Sequence, residues 1–163
     1  MKGFLVEYTP GCTSQLFGEA EFPELWLEKD VFSPCEFFLC KIDLSVFGGG
    51  LLGNCGYLYV FIDMPSSIKK AKPVLRFWLD EPDACTDFND GFFDYELDAA
   101  GISVDCNGAD DEIIINEETE NDVVIISLGA ENLPEELSVD RLSVVIDKQS
   151  LLNGEYVRAK LVF

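Results

Sequence analysis

The clearest signal along the chain is alternation of apolar and polar positions. In Phe38-Leu39-Cys40-Lys41-Ile42-Asp43-Leu44, residues 38, 40, 42 and 44 share one face while Lys41 and Asp43 take the other. That period of two predicts a half-buried strand. Tyr57-Leu58-Tyr59-Val60-Phe61-Ile62 is apolar on both faces, as a central strand is. Further strands are predicted at 74–79, 113–115, 123–128 and 142–146. The last is predicted at 157–163, where Val157, Ala159, Leu161 and Phe163 alternate with Arg158 and Lys160. Short capped helical turns are predicted at 63–70, 134–137 and 147–152. Gly48-Gly49-Gly50, Gly53-Asn54, Asn89-Asp90-Gly91 and Asn107-Gly108 mark loops. The fold class that follows is β-dominated α+β with a few short helices.

The pattern recurs within the chain. With an offset of 84, residues 37–79 lie over 121–163 without a gap. Ile42 then meets Ile126 and Leu44 meets Leu128. Leu58, Val60 and Ile62 meet Leu142, Val144 and Ile146, and Asp63 meets Asp147. We expect a duplicated β-rich unit: a single domain, 1–163, built from related units 1–79 and 80–163, with a non-repeated acidic segment at 80–120. Asp63 and Asp147, each just after a strand and ahead of Ser66 and Ser150, are expected to accept from the free amides of a short helix.

Charge changes the picture by being segregated. The net charge is −20, from 31 acidic and 11 basic residues. Residues 77–140 hold 20 of those acids and no Lys or Arg, so the rest of the chain is neutral. Such a segment repels nucleic acid and anionic membrane and attracts basic protein. No apolar run approaches the ~18 residues of a membrane span. The four-residue patch Gly3-Phe4-Leu5-Val6, ending at Glu7, is expected to be too short for a leader. The chain is expected to be cytoplasmic, with its six cysteines, 12, 35, 40, 55, 85 and 106, as reduced structural thiols.

Several of these segments resemble the YwqG-like family of bacterial proteins of unknown function. The shared features are Phe17-Gly18, Pro23 and Trp26, then Lys41-Ile42-Asp43-Leu44, then Gly56-Tyr57-Leu58-Tyr59-Val60-Phe61-Ile62-Asp63. In the second half, 124–128 and 141–147 fit the family's second apolar strand pair. Glu19 and Lys41 depart from the family's Gly and Gln. The resemblance covers roughly 17–79 and 121–163, and no catalytic residue comes with it. It implies, for some relatives, a role as immunity proteins beside secreted toxins.

The chemistry open to this chain is restricted. Without histidine there is no Ser-His-Asp or Cys-His pair and no near-neutral imidazole. No phosphate-binding glycine motif is present, and no cofactor is expected. The acid-rich stretches 80–98 and 105–112 suggest a divalent ion such as calcium, but neither has EF-hand spacing. A solvated acidic face is the plainer reading. A carboxylate-based enzyme is the other alternative. Between acids in the segment stand aromatic side chains: Asp87, Phe88, Asp90, Phe92, Phe93, Asp94, Tyr95 and Glu96. Aromatic anchors in a charged rim are how protein interfaces capture a partner. These eight residues are the candidate partner-binding surface, and the expected function is non-enzymatic binding of a basic protein. A solubility face around an ordinary buried aromatic cluster is the competing account.

Overall fold

A computed structural model describes residues 1–106 and 111–163. The described residues form twelve strands: β1 (Lys2–Glu7), β2 (Gln15–Leu16), β3 (Ala20–Phe22), β4 (Glu36–Asp43), β5 (Tyr57–Asp63), β6 (Lys72–Trp78), β7 (Ala84–Thr86), β8 (Ala100–Ser103), β9 (Glu112–Glu118), β10 (Asp122–Gly129), β11 (Arg141–Asp147) and β12 (Lys160–Val162). Three short α-helices accompany them, α1 (Glu24–Lys29), α2 (Leu44–Phe47) and α3 (Lys148–Leu152). Ten strands make one antiparallel sheet in the order β12-β11-β10-β9-β1-β8-β2-β4-β5-β6, while β3 and β7 pair as a separate ribbon.

The sheet curls until its ends nearly meet, and Phe77 of β6 stacks on Tyr156, just before β12, with ring centroids 4.7 Å apart. Inward-facing residues such as Ile42, Leu58, Val60, Ile113, Ile126, Val144 and Ile146 fill the interior. Alternation dictates this arrangement: each strand sends every second side chain inside, so one face of the sheet fills the barrel interior. A second apolar cluster lies outside the barrel, on β4, β5 and β6. There Phe38, Tyr59 and Phe61 are covered by Phe22 of the β3–β7 ribbon, Trp26 of α1, Phe32 and Phe88. This explains why 57–62 is apolar on both faces.

The two stretches of chain interleave. β1 lies between β8 and β9, and β8 lies between β1 and β2. Flanking this centre are two meanders, β4-β5-β6 and β10-β11-β12, with closely matching pairing. Glu36 pairs with Asp63 as Asp122 pairs with Asp147, and the ladders break between Phe38 and Cys40 and between Val124 and Ile126. The pairing matches β5 to β11 at an offset of 84 but β4 to β10 at 86, so Ile42 stands where Leu128 does, not Ile126. Likewise Leu75, opposite Val60, matches Leu161, opposite Val144. The connecting loops absorb the two-residue difference, which a gapless alignment cannot show.

Local expectations fared unevenly. Asp147 does cap α3, its Oδ1 accepting from Ser150 N at 2.8 Å. Asp63 caps nothing; in the first meander the capping acid is Asp43, which accepts from Ser45 N at 2.9 Å to start α2. The last strand is shorter than alternation predicts. Residues Tyr156–Arg158 form a 3-10 turn and leave Val157 91% exposed. At Phe17-Gly18 both residues have positive φ, and a side chain on Gly18 would collide with Ala99. Gln15 holds that turn by donating to the carbonyls of Phe17 and Glu19. Among the described residues no helix is long and apolar enough to cross a membrane.

Candidate partner-binding surface

The acidic loop is built around Asn89. Its buried side chain accepts from Phe38 N at 2.7 Å and donates to Phe38 O at 2.8 Å. β2 pairs with β4 only at Lys41 and Cys40, so the backbone of Phe38 extends past its neighbour. A buried strand edge needs partners for both its amide and its carbonyl. One carboxamide supplies both, acting as a strand one residue long. Consecutive turns shape the loop: Asp87 accepts from Asn89 N, Asp90 N reaches Asp87 O, and Phe92 N reaches Asn89 O.

The aromatic residues of the loop point inward. Phe88 lies against Phe32 at 4.6 Å and Phe61 at 5.1 Å in the outer cluster. Phe92 and Phe93 pack on Phe37, at 5.3 and 5.2 Å, beside the interior. The loop therefore straddles the end of β4, with rings on both of its faces. Tyr95 alone among the four is exposed, at 46%, and its hydroxyl donates to Glu136 at 2.9 Å. Asp87, Asp90, Asp94 and Glu96 face solvent. The eight residues share one loop, and three of its four rings fix the loop rather than offer themselves to a partner. Asn89, which fixes the loop most directly, was legible only as a turn former.

Two clefts flank the loop. The larger, about 710 Å³, opens between the loop and the 30–36 segment and is lined by Leu27, Asp30, Phe32, Glu36, Asp90 and Phe92 among others. The smaller, about 220 Å³, includes Asp87, Asp90, Asp94, Tyr95 and Glu96. Beneath the larger cleft Arg76 donates to both carboxylate oxygens of Glu36, at 2.7 and 3.1 Å, and to Val31 O. Its guanidinium also stacks 4.7 Å from the Phe32 and Phe61 centroids. The Glu36 side chain is 2% exposed and that of Arg76 16%. A bidentate pair this sequestered neutralises itself, so Arg76 leaves the acidic rim uncompensated. Nothing in the sequence marked Glu36 and Arg76 as partners across three strands.

A second charged feature lies on the same outer face. Lys41 is 4% exposed, and none of the four ion pairs among the described residues includes it. Its ammonium sits 5.4 Å from the Tyr57 ring centroid. Burial lowers its pKa, opposed by the charges of Glu21, Asp43 and Glu81. Tyr57, whose hydroxyl donates to Glu81, is pushed up to about 12 by burial and that carboxylate.

Among the described residues no three acid or thiol side chains converge as metal ligands. Residues 107–110, the middle of the second acid-rich stretch, lie outside the described residues. The six cysteines are unpaired; only Cys40 is fully buried, and desolvation raises its pKa. Cys55, Cys85 and Cys106 are exposed, so they do not serve as core packing. The chain matches no known protein family, no curated protein and no solved structure.

Proposed function

We propose that this protein is a non-enzymatic binding module whose acidic loop, 87–96, captures a basic protein. The observation that carries this reading is the clip from Asn89 to Phe38. Together with the inward-facing rings of Phe88, Phe92 and Phe93, it holds four exposed carboxylates in a fixed arrangement beside two clefts. A solubility tail has no need of such anchoring; a preorganised charged surface lowers the entropy lost on binding. A secreted toxin is the partner that the YwqG-like resemblance implies. We also infer that the two meanders are copies of one β-rich unit. Their matching ladders, each interrupted at the same place, support that origin.

The test uses cytochrome c as a folded basic probe, measured by calorimetry at low salt. Neutralising the loop in the variant D87N/D90N/D94N/E96Q should weaken binding at least about tenfold, or ~1.4 kcal/mol. Neutralising four exposed acids elsewhere, Glu28, Glu120, Glu131 and Asp140, removes the same charge and should have much less effect. Equal losses in the two variants would show that net charge alone attracts the probe, and the loop would lose its special role. Asn89→Ala leaves every carboxylate in place. It should weaken binding and speed amide exchange across 87–97.

A further inference from the structure

The larger cleft draws its charge from both sides. Three carboxylates line it, those of Asp30, Glu36 and Asp90. Arg76 takes up both oxygens of Glu36, which leaves two. Asp30 and Asp90 are exposed, and neither joins an ion pair among the described residues. Between them the wall is aromatic. Phe32, Phe88 and Phe92 line the same cleft, and each is only partly buried, so ring surface is left at its wall.

Both sides of the cleft are tied to the start of β4. On one side Ser33 N donates to the carboxylate of Glu36, and Val31 O accepts from Arg76. On the other, Asn89 clips the loop to the backbone of Phe38. The two unmatched acids are each set by a turn, Asp30 N donating to Leu27 O and Asp90 N to Asp87 O. Walls anchored at Glu36 and Phe38, on one strand, hold the cleft open without a ligand. That preorganisation lowers the cost of binding.

Carboxylates set beside aromatic rings select a cation that is also flat. A guanidinium offers a planar fork of donors to carboxylates and stacks on rings, whereas an ammonium is a strongly hydrated point charge. The protein already shows this fit once. Beneath the cleft Arg76 pairs with Glu36 and lies 4.7 Å from the Phe32 and Phe61 centroids. We propose that the larger cleft is an arginine pocket, taking one arginine side chain of the basic partner with its guanidinium paired to Asp30 and Asp90 and laid against the phenylalanine rings. This rests on the reading of the acidic loop as a binding surface. It adds a residue from outside the loop, Asp30, and a preference for arginine over lysine.

NMR titration of the isotope-labelled full chain with the blocked peptide Gly-Gly-Arg-Gly-Gly tests this. Saturable shifts should appear at the amides of 30–36 and 88–92, with a Kd of about a millimolar. The same peptide with lysine should bind at least about fivefold more weakly. With citrulline, which keeps the shape and loses the charge, it should not bind. Asp30→Asn and Asp90→Asn should each weaken arginine binding about tenfold, while Glu120→Gln, in the turn between β9 and β10, should not. Asn tolerates the left-handed conformation that Asp30 adopts, so the first variant keeps its fold. No saturable binding by about 10 mM, equal binding of the arginine peptide and either control, or an Asp30→Asn variant that binds like wild type would each overturn the pocket. Failure of the loop reading looks different, because cytochrome c would then ignore the four loop neutralisations. Failure of the pocket alone leaves cytochrome c bound through the loop with no demand for Asp30.

Discussion

The meanders β4-β5-β6 and β10-β11-β12 have closely matching pairing, but their outer faces differ in kind. Where the first carries Phe38, Tyr59, Phe61 and Arg76, the second carries Val124, Ser143, Val145 and Val162. Large rings on the first face accompany a covering layer drawn from 20–32 and 88, which makes that side of the barrel two cores deep. The small residues on the second belong to neither apolar cluster, although Val145 is itself buried. The inner faces are alike because both must fill the same barrel. The outer faces are under no such constraint and differ: one supports the acidic loop, and the other carries small side chains.

The sharpest way to break this comparison is to remove one ring. Phe61→Ala takes a fully buried side chain from the centre of the outer cluster and should destabilise by about 4 kcal/mol. Val145→Ala, at the matching position of the second meander, removes a smaller buried side chain and should cost about 1.5 kcal/mol. Urea unfolding of both variants measures the difference, and equal costs would mean that the outer cluster is not a true second core.

The buried ion pair gives the next largest effect. Arg76→Met leaves Glu36 charged, buried and without its main donor, which should cost about 3 kcal/mol. Pairing it with Glu36→Gln should recover a good part of that loss, since a neutral amide is cheaper to bury than an unpaired carboxylate. Asp122→Asn and Val162→Met, at the corresponding places in the second meander, should each change stability by less than about 0.5 kcal/mol. A double variant as unstable as R76M would show that Arg76 acts through its stacking on Phe32 and Phe61 rather than through charge.

Lys41 provides the smallest test and one with a pH signature. Its counterpart in the second meander is Ser127. Because burial lowers the folded-state pKa of Lys41, the unfolded chain holds that proton more tightly. The penalty is therefore full below the folded pKa and fades as pH rises toward the unfolded value of about 10.4. Lys41→Met should stabilise by about 1 kcal/mol at neutral pH, with the advantage shrinking in alkaline solution. Urea midpoints at neutral and alkaline pH measure it, and a constant gain would assign the effect to packing alone.

The longer strands were legible: β4 from alternation, though the break at 38–40 turns Phe38 to the outer face, and β5, β6, β9, β10 and β11 from apolar runs. β2, β3 and β7 were not, because two or three residues carry no period. β1 was passed over because its apolar patch is short and ends in charge. At the candidate surface, the sequence gathered the acids and rings into one loop but gave no direction to the rings. A phenylalanine flanked by aspartates reads equally well as an anchor offered outward or a pin driven inward.

What the sequence determined by itself is local. Alternation and apolar runs set the β-rich class, and the run without Lys or Arg set the charge asymmetry; an Asp three residues before a serine capped α3 at Asp147 but nothing at Asp63. Tertiary structure alone decided which strands became neighbours, bringing β1 to β9 and β8 to β2. It also decided the two-residue shift between the meanders and the inward turn of Phe88, Phe92 and Phe93. The reason is physical. Period and capping depend on residues within a turn or a strand of each other, while register and facing depend on which distant edge still has unpaired amides and uncovered rings. At Phe38 that edge was open, and Asn89 closed it.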